Sequence, residues 1–192
     1  MTETILIAML IIFIYIFLFF NRNKVVYMES ISGDKMLIYA DPMKKEKANL
    51  LAAIKTNMYA LRDYMYRNIN KFPDYTDYIK QLNMNLDEDK TIIYETDPDT
   101  NLTSYSVNKG EELSFCLKSK KTGQVHDLNL LMYVAIHEMA HIACPEIGHG
   151  ELFKKIFRKL IEEAINIEIY TKVDYTNHPI EYCGMILSSS II

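Results

Sequence analysis

Three histidines and one glutamate in the last third of the chain have the types and spacing to share one metal ion. The residues His137-Glu138-Met139-Ala140-His141 form the pattern H-E-x-x-H. If this segment is a helix, the two histidines lie one turn apart on the same face, so both imidazoles can reach one ion. Zinc suits imidazole nitrogen, and a catalytic zinc site uses three protein ligands and leaves one position to water. We therefore predict that His137 and His141 bind Zn²⁺.

Glu138 has a different predicted role from the two histidines. It follows His137 directly, which places its carboxylate beside the open position, where it can accept a proton from water. The residues before His137 are apolar and predict a buried helix. Burying ionisable side chains is costly unless they have partners, and a metal ion is a suitable one. The alternative is a pair of hydrogen-bonded core histidines with Glu138 at the surface.

His149 is the predicted third zinc ligand. It follows the break at Cys144-Pro145-Glu146-Ile147-Gly148 and precedes a second helical segment. A helix–turn–helix return would bring it back over the first helix, and the neighbouring glycines, Gly148 and Gly150, let the backbone bend tightly. The alternative third ligand is a glutamate of the last helix, Glu162 or Glu163. Cys144 is interpreted as a small buried thiol and not as a ligand.

The string HEMAHIACPEIGHGELFKKIF resembles the zincin metallopeptidases of the SprT-like and WLM type. Those proteins pair HExxH with a downstream His-Gly-x-x-Phe or His-x-x-x-Phe, which corresponds here to His149-Gly150-Glu151-Leu152-Phe153. The resemblance covers residues 113–165 and implies that His137, His141 and His149 bind zinc. It also implies that Glu138 is the general base for hydrolysis of peptide bonds. The whole chain resembles the membrane-anchored versions of these proteins encoded by large DNA viruses.

The periodicity of apolar residues predicts an α+β fold for residues 25–192, namely a zincin-like domain with a small sheet, an HExxH helix and a following helix. The Asp41-Pro42 pair predicts the start of a long amphipathic helix, whose apolar stripe we expect in the core. The other main predicted elements are the strands Thr91–Glu95, Leu102–Val107 and Leu113–Leu117 and the helices 127–143 and 150–169. Leu113–Leu117 is interpreted either as an edge strand that receives substrate or as an interior strand.

Residues 1–24 are predicted to be a transmembrane anchor with a basic flank. The apolar run from Ile5 to Phe20, extended by Thr4, spans roughly 25 Å as a helix. A cleaved signal peptide and a buried core element are the alternatives. Basic residues, Arg22 and Lys24, follow the run and none precede it, so the positive-inside rule puts the C-terminal domain in the cytoplasm. The protein is therefore predicted to cross a host or virion membrane once.

Composition narrows the classes of function. The 192 residues carry a net charge of −4, and an acidic chain is not built for non-specific binding of nucleic acid. Three cysteines without a C-x-x-C pattern argue against a disulfide scaffold, and in the cytoplasm we expect all three to be unpaired. The basic face of the last helix is interpreted as solvated charge or as a contact for an anionic partner; it contains Lys154, Lys155, Arg158 and Lys159.

Two functions from different classes follow from these observations. The first is a membrane-anchored zinc metallopeptidase that acts on a protein or peptide substrate. The second is a non-catalytic membrane or virion scaffold or binding protein that retains the zincin fold, with virion or membrane proteins as partners. Tyr175, His178 and Tyr182 are candidate donors to the oxyanion of a peptidase reaction, with a structural role as the alternative for each.

Overall fold

A computed structural model describes residues 2–21 and 24–192, with side chains for 4–17 and 24–192. This part of the chain contains five α-helices, seven β-strands and two short 3₁₀-helices, Ile69–Lys71 and Pro73–Tyr75. The helices are α1 (Thr2–Asn21), α2 (Lys44–Arg67), α3 (Thr76–Asn85), α4 (Leu128–Ala143) and α5 (Glu151–Asn166). The strands are β1 (Val25–Glu29), β2 (Lys35–Tyr39), β3 (Ile92–Glu95), β4 (Tyr105–Val107), β5 (Glu112–Phe115), β6 (Ile180–Tyr182) and β7 (Met185–Leu187). The predicted α+β fold class is confirmed.

A five-stranded mixed sheet has the strand order β1-β2-β3-β5-β4, and β6 and β7 form a separate antiparallel hairpin. The strands β2, β3 and β5 run parallel, whereas β1 and β4 are antiparallel to their neighbours. Because β5 is paired on both sides, Leu113–Leu117 corresponds to an interior strand. The edge of the sheet beside α4 is β4, which pairs with β5 alone among the described strands.

The long helix α2 packs its predicted apolar stripe into the core. Leu51, Ile54, Met58 and Leu61 are fully buried, as expected for side chains that recur at steps of three and four. α4 lies against α2, α3 and α5, and most of its 16 residues are buried. Two of the predicted ligands therefore lie on a helix that is enclosed by packing on several sides.

The N-terminal cap of α4 fixes where this helix begins. The backbone N–H of Leu130 donates a hydrogen bond to Oδ1 of Asp127 over 3.0 Å. Such a cap satisfies one of the backbone donors that a helix start leaves without an intrahelical partner. The cap therefore stabilises the start of the helix that carries His137 and His141.

Cys116 and Cys183 form a disulfide, which corrects the expectation that all three cysteines are unpaired. Their Cα atoms are 6.1 Å apart, within the range that a disulfide can bridge. The bond ties the segment after β5 to the turn of the β6–β7 hairpin. The sequence argument failed because it rested on a reducing location and an odd cysteine number. Only the fold shows that two cysteines 67 residues apart in sequence meet in space.

The predicted membrane location is wrong. Within residues 2–21 and 24–192, no helix combines the length and the hydropathy that crossing a bilayer requires. The predicted single-pass topology rested on the apolar run from Ile5 to Phe20, extended by Thr4, and the described part of the chain contains no helix that could form this span. The placement of the domain in the cytoplasm depended on this span and is withdrawn with it. Arg22 of the predicted basic flank lies outside the described residues.

The disulfide predicts how many thiols react when the protein is denatured without reductant. We expect one reactive thiol per chain, from Cys144, which is free and buried in the fold. Reduction should lower the free energy of unfolding by about 2–4 kcal/mol, because the bond closes a long loop in the unfolded chain. The control is the double variant Cys116→Ala/Cys183→Ala. Reductant should change neither its number of reactive thiols nor its free energy of unfolding. Three reactive thiols in the untreated protein would contradict the assignment.

Candidate metal centre

The three histidine side chains converge on one point. His137 and His141 project from the second half of α4 with their Nε2 atoms 3.2 Å apart. His149 precedes α5, and its Nε2 lies 3.1 Å from each of the other two. Among the described residues, these three side chains form a group that could hold a metal ion. The structure therefore brings together all three histidines that the sequence predicts as ligands.

The triangle of nitrogen atoms fits a tetrahedral zinc ion. Two imidazole nitrogens that bind one tetrahedral zinc at about 2.0–2.1 Å lie about 3.3–3.4 Å apart, close to the 3.1–3.2 Å observed. Without a cation, each neutral Nε2 carries either a proton or a lone pair. In a triangle of three such atoms, at least one pair must then place two protons or two lone pairs against each other. A shared cation removes this conflict.

The protonation state of the histidines favours metal binding. Burial, together with the neighbouring imidazoles of His141 and His149, lowers the pKa of His137 to about 3. Burial, with His149 and the ammonium group of Lys109 as further causes, lowers the pKa of His141 to about 4. Both imidazoles are therefore neutral near pH 7, which is the form that donates a lone pair to a metal ion.

The turn between α4 and α5 places His149 over α4. Gly148 has a φ of +87°, a left-handed backbone conformation that favours glycine, and it directly precedes the histidine. Gly150 then acts as the N-cap of α5 in an extended conformation. The chain reverses within these few residues, so that α5 packs antiparallel to α4 and His149 faces the two histidines of that helix.

Phe153 packs against all three imidazole rings. Its ring centroid lies 5.0 Å from that of His137, 4.3 Å from that of His141 and 4.8 Å from that of His149. The side chain is 2% exposed, in the first turn of α5. This contact explains why a phenylalanine four residues after the third histidine accompanies the histidines: it restricts the orientations of the rings. The motif in the sequence includes this phenylalanine, but the sequence does not show that its ring contacts the three imidazoles.

Lys109 is a residue of the site that the sequence analysis missed. Its Nζ donates hydrogen bonds to the backbone carbonyl oxygens of His141 at 3.0 Å and Glu146 at 3.1 Å, and also to that of Cys144. A cation at this position is favourable because a helix C-terminus leaves carbonyl groups unsatisfied and carries partial negative charge. The sequence analysis did not single out Lys109, since nothing local shows that the segment between β4 and β5 reaches the end of α4.

Glu138 lies beside the histidine cluster but outside it. The side chain is 5% exposed, and burial raises the pKa of its carboxyl group to about 7, although hydrogen bonds from Ser106 favour the charged form. Glu138 and the three histidines all line one cleft of about 670 Å³. A carboxylate in this position is available to a molecule in the cleft without being one of the converging ligands.

The cleft is bounded by four parts of the fold. These are the edge strand β4, the helix α4, the turn that carries His149 and the β6–β7 hairpin. Tyr182 of β6 lines the cleft, and its phenol forms a short hydrogen bond with the hydroxyl group of Ser104. Of the three candidate oxyanion donors, Tyr182 lines the cleft, whereas Tyr175 and His178 are not among its lining residues.

The glutamates considered as alternative third ligands lie elsewhere. The carboxylate of Glu163 forms an ion pair with Nζ of Lys159 at 2.7 Å, and Glu162 contacts the same ammonium group at 3.5 Å. Neither glutamate belongs to the group of converging ligand atoms found among the described residues. Of the basic residues of α5, Lys154 also forms an ion pair, with Glu151. This geometry favours His149 over a glutamate as the third ligand.

The cluster predicts one zinc ion per chain and a requirement for His149. We expect the variant His149→Ala to lose most zinc at micromolar free metal, because two imidazoles hold zinc far less tightly than three. Zinc should raise the melting temperature of the wild type and not that of His149→Ala. The matched control is His178→Ala, which removes an exposed histidine that does not line the cleft. Equal zinc content in the two variants would contradict the assignment.

Relatives of the chain are viral proteins. It is 43% identical over 190 residues to "Uncharacterized protein R325" of Acanthamoeba polyphaga mimivirus, which covers 97% of this chain and 95% of the relative. "Uncharacterized protein 136R" of Invertebrate iridescent virus 6 is 38% identical over 69 residues, or 35% of this chain and 38% of the relative. "Uncharacterized protein 042R" of Invertebrate iridescent virus 3 is 37% identical over 62 residues, or 32% of this chain and 38% of the relative.

Two crystal structures of Wss1 from Saccharomyces cerevisiae are similar at 18% identity. The first has a TM-score of 0.44 over 68% of this chain and 87% of that chain. The second, of a Wss1 mutant, has a TM-score of 0.37 over 53% of this chain and 83% of that chain. No protein-family profile matches the chain. On the strength of the match along nearly its whole length, the chain belongs to the same family as protein R325 of Acanthamoeba polyphaga mimivirus.

Proposed function

We propose that the protein is a zinc-dependent peptidase. The observation that carries this proposal is the convergence of three Nε2 atoms within 3.2 Å, with the carboxylate of Glu138 in the same cleft. His137, His141 and His149 would hold the zinc ion and leave one coordination position for water or substrate. When bound, zinc supplies Lewis acidity, which makes water more acidic and polarises the carbonyl group of the scissile bond.

Glu138 moves the proton in this proposal. Its carboxylate accepts a proton from the attacking water and later delivers it to the nitrogen of the leaving amine. The side chain suits this role because it is buried, lines the cleft and follows the first proposed ligand on α4. A zinc site with a purely structural role has no need of a carboxylate at this position, since such sites close all four coordination positions with protein ligands.

The edge strand β4 is the proposed binding site for the substrate backbone. Among the described residues it pairs with β5 on one side only, and its residues Tyr105 and Ser106 line the cleft. An extended peptide can add to such an edge by backbone hydrogen bonds, which recognise any sequence of residues in an extended conformation. The proposed substrate is therefore an extended segment of a polypeptide. The sequence analysis considered β5 for this role, but β5 is interior.

The variant Glu138→Gln tests the proposed chemistry. Glutamine keeps the shape of the side chain and much of its hydrogen bonding but cannot accept the proton. We expect cleavage of a panel of peptides and denatured proteins to fall by at least about 10²-fold, the usual scale for a lost general base. Zinc content and melting temperature should stay close to those of the wild type, because Glu138 is not one of the proposed ligands.

The matched control is Glu163→Gln, which changes another buried glutamate, one that lies on α5 and does not line the cleft. This variant should keep its activity. Loss of zinc from Glu138→Gln would show that Glu138 binds the metal. If the wild type carried one zinc ion and cleaved nothing in the panel, the protein would be the non-catalytic scaffold or binding protein that the sequence left as the alternative.

A further inference from the structure

The C-terminal end of α4 lacks the turn with which helices commonly close. In that turn a left-handed residue follows the C-cap, and its N–H group bonds back to the last carbonyl groups. Here the C-cap Cys144 has an extended backbone, and the proline that follows it has neither a left-handed φ nor an N–H group. Donors from other parts of the chain replace this turn. Lys109 donates to the carbonyl oxygen of His141 at 3.0 Å, and the side-chain amide of Gln81 donates to that of Ile142 at 3.0 Å.

The ammonium group of Lys109 joins the end of α4 to the segment that leads to the third histidine. An ammonium group has three N–H donors, and Lys109 bonds to three carbonyl oxygens, those of His141, Cys144 and Glu146. His141 is in the last turn of α4, whereas Glu146 is three residues before His149. Hydrogen bonds from a charged donor are stronger than those between neutral groups. One side chain therefore restrains most of the path from the second histidine to the third.

Burial contributes little to holding this segment. Pro145, Glu146 and Ile147 are exposed, and the apolar side chain of Ile147 is 96% exposed. The first buried residue after Cys144 is Phe153, in the first turn of α5. A surface segment with few buried contacts opens easily unless polar contacts restrain it. The hydrogen bonds from the ammonium group supply such a restraint.

The backbone around Lys109 keeps an unfavourable conformation that brings its side chain to this segment. Asn108, Lys109 and Gly110 have φ values of +47°, +58° and +116°, and the left-handed region is uncommon for a lysine. At Gly110 a Cβ atom would lie 2.7 Å from the carbonyl oxygen of Asn85, so the turn approaches the end of α3 as closely as a glycine permits. Packing against α3 therefore sets the position from which the ammonium group reaches the end of α4.

We propose that Lys109 is a positioning residue of the metal centre, which holds the segment 144–148 so that His149 meets His137 and His141 before a metal ion binds. The inference rests on the proposed three-histidine zinc site. Because His149 directly follows the restrained segment, loss of the restraint lets its imidazole leave the cluster, while the two imidazoles on α4 stay in place. Zinc binding must then order the segment again, and this loss of conformational entropy lowers the affinity.

Gln81 supplies a matched control for the test. Gln81 and Lys109 both donate to carbonyl groups in the last turn of α4. Methionine resembles either side chain in length and has no N–H donor. Of the two residues, Lys109 alone also bonds to Cys144 and Glu146, in the segment after the helix. A difference between Lys109→Met and Gln81→Met therefore reports on the restraint of this segment and not on the closure of the helix end.

The experiment measures the zinc affinity of the full chain by competition with a chelating dye. We expect Lys109→Met to weaken zinc binding by about 10- to 100-fold, the usual scale for loss of a group that orients metal ligands. Gln81→Met should bind zinc as tightly as the wild type, because it leaves the contacts of the segment 144–148 intact.

The thiol group of Cys144 reports on the same segment in the absence of metal. It is free and buried, whereas Cys116 and Cys183 are joined in the disulfide, so a thiol reagent reacts at Cys144 when local opening exposes it. In the metal-free protein, this reaction should be faster in Lys109→Met than in the wild type or Gln81→Met. The measurement needs neither zinc nor a substrate.

A double variant tests whether Lys109 acts through His149. If it does, adding Lys109→Met to His149→Ala weakens zinc binding no further. The inference is overturned by an equal loss in both backgrounds, by equal losses in Lys109→Met and Gln81→Met, or by an unchanged zinc affinity in Lys109→Met. If Lys109→Met does not fold, Lys109→Gln removes the same charge and is held to the same expectations. A wild type that binds zinc through three imidazoles but cleaves no peptide overturns the proposed function and leaves the role of Lys109 intact.

Discussion

Three imidazole nitrogens lie within 3.2 Å of one another, and the elements around them must hold them in this arrangement. Groups that compete for the same space and carry lone pairs do not stay together unless packing holds them or a cation joins them. The fold supplies the packing through the enclosed helix α4, the tight turn at Gly148 and the ring of Phe153 against all three histidines. Zinc would supply the attraction that these elements cannot.

The elements around the cluster have separate tasks. The cap at Asp127 stabilises the start of α4, and Lys109 satisfies carbonyl groups where that helix ends. The sheet contributes its edge strand β4 to the cleft, and the disulfide-linked hairpin contributes the opposite wall. Rigid packing lies behind the proposed ligands, while the open side of the cleft is formed by an edge strand and partly exposed side chains. This distribution suits a site that must hold its ligands still and admit a polypeptide.

The features that the sequence could predict depend on residues that are close together in the chain. The periodicity of α2 and α4, the i, i+4 relation of His137 and His141, and the return that places His149 over α4 all follow from helix geometry and short spacing. The disulfide between Cys116 and Cys183, the contact of Lys109 with the end of α4, and the choice of β4 as the edge strand depend on long-range topology. No local pattern contains that information. The membrane span was the opposite error, since a strong local pattern predicted a span that no helix of the described residues provides.

We propose that three imidazoles and no other side chain of the protein bind one zinc ion in an open site. X-ray absorption at the zinc edge of the loaded protein measures the type and distance of the zinc ligands. We expect three nitrogen ligands, with the fourth ligand an oxygen atom, all at about 2.0–2.1 Å. In His149→Ala, the signal from at least one imidazole should disappear. A sulfur ligand at about 2.3 Å, which would implicate Cys144, or an unchanged set of imidazoles in His149→Ala, would contradict this ligand assignment.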